Sequence, residues 1–488
     1  MNKDILSAKA VSATKWATIT ELVAKLVVPI TNMILARLLS LESFGVVATA
    51  TMVVSFADMF SDSGFQKYLV QHEFKEPSNK ENSTNVAFWT NFSISIFLWI
   101  LIFLFSEPLS ALVGSKGFGN VLIVASLQLP ITSFSSVQMA IYKRSFNFKT
   151  LFLVRVVSIC LPFVITIPLA CMGFEYWALI IGNLSGALSN AIILTIKSDW
   201  KPRFYYNFVL LKEMLSFSIW SLLESLSVWL VAWVDVFIVG NYLNDYYLGI
   251  YKQSINIVNS IIYIVTVPTM SVLFPLLSRF QYDEERFKNT YWSMQKMVSY
   301  ILLPMGVGIL LYREVITNIL LGSKWSEASD VIGIWGVITC IVAVLSYYTS
   351  EAFRAKGLPK LSFCIQVITI LVLVPTCIVS VRYGFKSLVY ARTLSRLITP
   401  IAGLVAMQYF LDISILKTLN KLVIPTVCTL IMTTVALFLR QIGNFFLWNI
   451  VSMVLCTIVY LIVVFIFSRD DILYLYNKFI KKGESKNE

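Results

Sequence analysis

NMILARLLSLESFGVV (residues 32–47) and VFIVGNYLNDYYLGIY (residues 236–251) share one pattern: an apolar helix end, a short turn, and a glycine that opens the next helix. The offset of 204 residues sets Ile34 on Ile238, Leu39 on Leu243 and Gly45 on Gly249. Around these stretches, apolar runs of helix length recur from one end of the chain to the other. They predict spans at approximately 15–36, 45–68, 85–106, 120–142, 151–172, 176–196, 215–240, 248–276, 294–312, 329–352, 361–381, 387–410, 420–439 and 445–467. Runs of roughly 20 residues suit membrane helices, whereas barrel strands give alternating segments of about 10. The offset contains six spans, an even number, so the two copies share one orientation and read as parallel repeats about an axis along the membrane normal.

Composition supports the same class. The 488 residues are 57% hydrophobic and 14% charged, with a mean hydropathy of +0.76, where a soluble domain carries about a quarter charged residues. The expected fold is an all-α polytopic membrane protein of about 14 transmembrane helices. The start, MNKDILSAKAVSATKW, is polar and leads into no short apolar region with a small-residue cleavage site, so no removable signal peptide is expected. Seven cysteines without CxxC pairs and a single histidine, His72, argue against disulfide frameworks and Cys/His metal sites.

The net charge of +12 is explained by where the cations fall. Most of the 39 Lys and Arg residues lie in the segments on the N-terminal side, leaving Arg37, Lys116, Arg313, Lys324, Arg382, Lys386 and Arg440 on the other. That asymmetry is the positive-inside pattern; it puts both termini in the cytoplasm and reads the basic excess as topology rather than a nucleic-acid surface. No loop between spans is long enough for a folded extramembrane catalytic domain. The tail DILYLYNKFIKKGESKNE reads as an amphipathic helix along the inner membrane surface.

The stretch ILARLLSLESFGVVATATMVVSFADMFSDSGFQKYLVQ (34–71) adds a resemblance. Ala36–Leu39, Glu42, Phe44-Gly45, Asp62-Ser63-Gly64 and Leu69–Gln71 match the pattern of an ARLL, an acidic turn, an FG, a D-x-G and an LVQ-like tail; QMAIYKRSFNFK (138–149) is a second such feature. In these the chain resembles Wzx-type polysaccharide exporters, the polysaccharide transport branch of the multidrug/oligosaccharidyl-lipid/polysaccharide superfamily. The resemblance implies two six-helix lobes around a central cavity, 1–200 and 201–412, with 413–488 holding an extra helix pair and the tail. It also implies a transporter rather than an enzyme: one that flips an undecaprenyl-diphosphate-linked oligosaccharide to the outer leaflet of the inner (plasma) membrane by alternating access, for surface polysaccharide such as O-antigen or capsule. Membrane lipids, the lipid-linked glycan, a polysaccharide polymerase and glycosyltransferases are the implied partners. No cofactor is implied beyond a coupling proton or sodium ion.

The lobes so implied bring spans 1, 2, 7 and 8 to the cavity, and those spans carry charges. Span 1 holds Glu21 and Lys25, span 2 Asp58 and Asp62, span 7 Glu224 and Asp235, and span 8 Lys252. A charge at mid-bilayer costs roughly 2.5 to 3.5 kcal/mol on insertion scales, so it has a partner, a wet cavity or a function. A lipid diphosphate asks for cations, which makes Lys25 and Lys252 candidates as compact point charges. Arg392 and Arg396, four apart on one helix face, are candidates as phosphate-gripping forks. Glu21, Asp58, Asp62, Glu224 and Asp235 are the cavity or ion-coupling acids. Structural alternatives stand beside each role: a self-neutralising Glu21–Lys25 pair, interhelical hydrogen bonds for the acids, and salt bridges for the two arginines. A drug antiporter of the same superfamily would want an acidic cavity, and an integral-membrane polymerase a large outer loop; the charge set here is mixed and the loops are modest.

Overall fold

In the computed structural model the described residues are 27–468 apart from 63, 73, 75, 146 and 444, together with 16, 20, 23 and 24; the side chains of 62, 77, 216–221, 223, 224, 271 and 359 are not described. Every regular element among them is helical. Thirteen helical stretches are long and apolar enough to cross a membrane, and a shorter apolar helix, α1 (Val27–Leu38), precedes them. They correspond one for one to the second through fourteenth expected spans, and α1 is the described end of the first. Lipid offers no hydrogen bonds, so a chain this apolar satisfies its backbone within helices.

The elements that follow are α2 (Leu41–Asp62), α3 (Phe65–Gln71), α4 (Pro77–Leu104), α5 (Ser106–Leu112), α6 (Gly119–Ser126), α7 (Gln128–Arg144), α8 (Phe148–Cys171), α9 (Glu175–Lys197), α10 (Phe208–Tyr242) and α11 (Asp245–Arg279). Then come α12 (Glu284–Leu311), α13 (Arg313–Leu320), α14 (Ala328–Val342), α15 (Tyr348–Ala355), α16 (Pro359–Val381), α17 (Phe385–Ser395), α18 (Ile398–Leu411), α19 (Ile415–Ile442) and α20 (Phe446–Phe467). Packing groups the described chain into two compact units, one up to Gln253 with Val374–Leu388, the other Ser254–Leu373 with the residues from Val389 on. These packing units are a different division from the sequence repeat, whose boundary falls near residue 200.

Three spans are interrupted, two of them for a reason the sequence carries. Proline has no N–H and its ring crowds the carbonyl four residues back. Pro130 denies a partner to Ser126, and the helix breaks at Leu127, whose N–H turns to Val124 O at 3.2 Å. Pro400 does the same to Arg396, and the N–H of Thr399 takes the Arg396 carbonyl at 3.2 Å instead. Between α14 and α15 a π-turn runs over Ala343–Tyr347; the fully buried Gln295 donates its Nε2 to the Val344 carbonyl at 3.0 Å, supplying a partner where the helical ladder is displaced.

In the first unit, the start of α2 is held by Glu175. Its Oε2 accepts from the backbone N of Ser40 at 3.2 Å and from the hydroxyls of Ser40 and Ser43 at 2.9 and 2.8 Å. A carboxylate there meets unpartnered N–H groups and the positive end of the helix dipole. Glu175 has a φ of 46°, a left-handed conformation that costs a non-glycine residue about 1–2 kcal/mol. The two repeat glycines meet close by. A Cβ on Gly45 would collide with the backbone of Asp245, and one on Gly249 with the backbone of Leu41. The two contacts exchange under the offset of 204, so the same surface is used twice, once from each repeat. Only glycine lets helix backbones approach so closely.

Candidate functional site

Helix α2 presents two contrasting faces. Val47, Ala50, Thr51, Val54, Ser55 and Asp58 recur at helical spacing and line a cavity of about 120 Å³ with Ala125 and Gln128 from the α6–α7 break and Ile180, Asn183 and Leu184 of α9. On another face, Val53, Phe56, Ala57 and Phe60 join Leu98, Leu101, Ile102, Phe105 and Leu109 around a wholly apolar cleft of about 500 Å³. Helix α2 is therefore a wall between a cavity that carries its polar stripe and a wholly apolar cleft, both within the first unit.

Asp58 is the charged member of the cavity. Its Oδ1 lies 3.2 Å from Thr132 Oγ1 of α7, whose proton it shares with the Leu129 carbonyl at 3.1 Å, and 3.5 Å from Ser61 Oγ, which donates at 3.0 Å to the Asp58 carbonyl. Ser55 Oγ donates to Met52 O at 3.0 Å and accepts from Trp229 Nε1 of α10 at 3.1 Å. The Trp229 indole also packs on Phe56, centroid to centroid 4.8 Å, and so touches the wall where its polar and apolar faces meet.

Two further candidates of the first unit, Asp235 and Lys252, each find a partner across the α10–α11 pair. Asp235 is buried, 3% exposed; its Oδ2 accepts from Tyr251 OH at 2.8 Å and its Oδ1 from Val236 N at 2.8 Å. Those bonds satisfy a buried carboxylate locally and tie α10 to α11. Lys252, next to Tyr251, sets its Nζ 3.7 Å from the centroid of Trp233, two residues before Asp235. A cation over an indole face is held by the ring quadrupole, which keeps the ammonium on α10.

The second unit contains the arginine pair. Arg392 is buried, 5% exposed, and its guanidinium lies 5.5 Å from the centroid of Trp335; that of Arg396 lies 4.2 Å from the same ring. Arg396 also donates from Nη1 to Thr339 Oγ1, one turn beyond Trp335 on α14. The ring is itself fixed, because Trp335 Nε1 donates to Asn259 Oδ1 of α11 at 3.2 Å. Arg396 sits at the α17–α18 break, eleven residues into the span that begins at Phe385. At 1.5 Å per residue that is about 16 Å, near the middle of a 30 Å hydrocarbon layer. Two forked cations on one aromatic platform form an arrangement that a phosphate or diphosphate can bridge with paired hydrogen bonds.

Of the residues singled out in the sequence, Glu21 and Lys25 lie outside the described residues, and Asp62 and Glu224 are placed in α2 and α10 without a described side chain. Arg392 and Arg396 are brought together on one ring. Sequence reasoning missed Trp335, Thr339, Asn259, Trp229, Ser55 and Thr132. Thr51, Ser55 and Asp58 do carry a signal, a polar stripe at four- and three-residue spacing within an apolar run; the tryptophans carry none, since each acts on a helix distant in sequence. The basic end of QMAIYKRSFNFK serves the fold: Arg144 Nη1 donates to the carbonyls of Leu69 and His72 at 2.8 and 2.6 Å, closing the end of α3.

A family described as polysaccharide biosynthesis protein matches residues 34–330, more than half of the chain. The chain belongs to that family. Among its relatives, the succinoglycan biosynthesis transport protein ExoT of Rhizobium meliloti (strain 1021) is 28% identical over 307 residues, 62% of this chain and 61% of that protein, so the chain spans about three fifths of ExoT. The lipopolysaccharide biosynthesis protein WzxC of Escherichia coli (strain K12) is 20% identical over 435 residues, 84% of this chain and 85% of that one. The solved structure of the lipid II flippase MurJ in an inward closed conformation superposes with a TM-score of 0.78 at 16% identity, covering 93% of this chain and 99% of that chain. At that identity the likeness is one of fold. Family and fold together make this a multi-pass helical membrane protein of the polysaccharide biosynthesis family, as its first 71 residues lead one to expect.

Proposed function

We propose that this protein is a transporter that moves a lipid-linked oligosaccharide, carried on undecaprenyl diphosphate, from the inner to the outer leaflet of the plasma membrane by alternating access, for assembly of a surface polysaccharide. No covalent chemistry is required of it. The observation that carries the reading is the Arg392–Arg396 pair on Trp335, inside membrane-spanning helices of a chain from the polysaccharide biosynthesis family. Arginines at that depth are costly, and an anionic cargo gives them a use. The names of the relatives, a biosynthesis transport protein among them, support the same class.

In this reading Arg392 and Arg396 grip the diphosphate, while Lys25 and Lys252 draw it in. Asp58, with Glu21 and Glu224, handles a coupling proton or sodium ion. Both termini face the cytoplasm, and a polymerase and glycosyltransferases act on either side of the step. A drug antiporter carrying organic cations fits the arginine pair poorly, since like charges repel in low dielectric.

The test is a cell in which the gene is deleted and replaced by wild type or by Arg396→Ala. Lipid-linked glycan is extracted and its leaflet read with a membrane-impermeant glycan-labelling reagent. Wild type restores outer-leaflet glycan, and Arg396→Ala, inserted to the same level, leaves it inside. Equal export in both overturns the role of the pair; no inner-leaflet accumulation in the deletion strain overturns the function.

A further inference from the structure

Two helices of the second unit leave the Trp335 ring in the same chain direction, and each meets a weak point at nearly the same distance from it. On α11, Asn259 accepts the Trp335 N–H at 3.2 Å, and Pro268 follows nine residues later within the helix. On α14, the π-turn Ala343–Tyr347 begins eight residues after Trp335. At 1.5 Å per residue both weak points lie about 12–14 Å along their helices. Pro268 lacks the N–H that would close on the Ile264 carbonyl, and a π-turn spaces its bonds one residue wider than the helix around it. Proline and π-turns are the places where helices bend.

Immediately past these points the two helices are tied together. Thr269 follows Pro268, and Tyr348 follows the last residue of the π-turn. The fully buried Tyr348 sets its hydroxyl 2.7 Å from Thr269 Oγ1. Thr269 gives its own proton to the carbonyl of Val265 or Thr266, each 2.9 Å away, so the phenol is the donor. Two more ties follow in the same order along both elements. The Arg354 guanidinium lies 5.4 Å from the centroid of Phe274 and is bonded to Glu351 Oε1 at 3.0 Å. Lys356 Nζ donates to the Gln281 carbonyl at 2.7 Å and lies 4.8 Å from the centroid of Phe287 at the start of α12. Beyond the weak points α11 and α15 are thus joined at three levels, and before them α11 and α14 are joined through Asn259 and Trp335. Beside the π-turn, Gln295 Oε1 and the Tyr291 hydroxyl, one turn apart on α12, are buried with no protein partner among the described residues. Bonding capacity is therefore left for a second register of the turn.

We infer that the half of α11 beyond Pro268 and helix α15 form one arm, which swings on Pro268 and the π-turn together, the Tyr348–Thr269 hydrogen bond making the two hinges one. The inference goes beyond the transport reading and does not depend on it; to that reading it adds a moving part that leaves the arginine platform in place.

The experiment is hydrogen–deuterium exchange of the purified full-length protein in lipid nanodiscs, read by mass spectrometry over peptides covering residues 262–274 and 340–352. In wild type both exchange faster than the peptides around Asn259 and Trp335. Pro268→Ala, which gives α11 back one helical hydrogen bond, slows exchange in both peptides by about fivefold, the worth of one such bond. Combined with Tyr348→Phe, which cuts the tie and leaves Thr269 bonded to its own helix, Pro268→Ala slows the α11 peptide alone. Thr269→Val cuts the same tie from the other side and replaces Tyr348→Phe if that variant does not fold. Slowing confined to α11 in Pro268→Ala itself means two independent kinks and overturns the inference. Slowing of both peptides with the tie cut, or wild-type hinge peptides that exchange no faster than those of the platform, overturns it too. The samples contain no glycan, so failure here is distinct from failure of the export assay.

Discussion

Replacing Trp335 by leucine removes the ring on which Arg392 and Arg396 both rest, and the structure sets the size of the effect. Arg396, half-buried with its guanidinium 4.2 Å from the centroid, gains about 1 kcal/mol from the cation–π contact, and Arg392, at 5.5 Å, about 0.5 kcal/mol near the limit of the interaction. Losing both releases the pair from its platform; if all of that is lost from binding, about 1.5 kcal/mol lowers affinity for a bridging diphosphate by somewhat more than tenfold. The smaller side chain also leaves a cavity in α14, worth about 2 kcal/mol of stability, so thermal stability falls in parallel. Trp335→Phe separates the two effects. It keeps an aromatic face for the arginines and loses the N–H to Asn259 Oδ1, a hydrogen bond of about 1 kcal/mol. The assay is binding of undecaprenyl diphosphate to each purified variant in lipid nanodiscs. The expected order is wild type, then Trp335→Phe within about fivefold, then Trp335→Leu, weaker by more than tenfold. Binding of Trp335→Leu within twofold of wild type, with Arg396→Ala clearly impaired, refutes the platform.

Other substitutions probe different parts of the account. Gly45→Leu forces a side chain into the Asp245 backbone and lowers stability by about 1–3 kcal/mol, the usual cost of overpacking; Gly249→Leu does the same against Leu41, and a melting curve in detergent shows both. Tyr251→Phe leaves the buried Asp235 Oδ2 without the phenol that now bonds it at 2.8 Å, costing about 1–3 kcal/mol in the same measurement, while glycan export by the protein that does insert stays near wild type. Pro400→Ala restores an N–H opposite the Arg396 carbonyl and allows α17 and α18 to join; the melting temperature rises and export falls, because Arg396 is drawn back into a regular turn. A variant that melts higher and exports normally removes the break from the mechanism.

How much of this was legible in the sequence depended on whether the partners lie near one another along the chain. The spans were plain because length and apolarity alone define them. The repeat was visible in three aligned residues, and its meaning is physical: Gly45 and Gly249 are small because each meets a backbone belonging to the other copy. Arg392 and Arg396 declared themselves by their spacing, but nothing marked Trp335 as their support, since a tryptophan in an apolar run looks the same facing lipid or facing a guanidinium. Asp235 was legible as a charge in an apolar run, but its bond from Tyr251 was not, because that phenol lies across a turn and sixteen residues away. Pro130 and Pro400 break their helices for a reason the sequence carries, but that one break falls beside the Asp58 cavity and the other at Arg396 needed the packing of α2, α9 and α14 to appear.

The most direct measurement is flipping itself. Purified protein is reconstituted into liposomes with an undecaprenyl-diphosphate-linked oligosaccharide on one leaflet, and the fraction reached by an impermeant glycan-labelling reagent on the other is followed in time. The account predicts transfer by wild type well above protein-free liposomes, and transfer near the protein-free rate for Arg396→Ala at equal reconstitution. Wild type no faster than empty liposomes, or Arg396→Ala as fast as wild type, would contradict it.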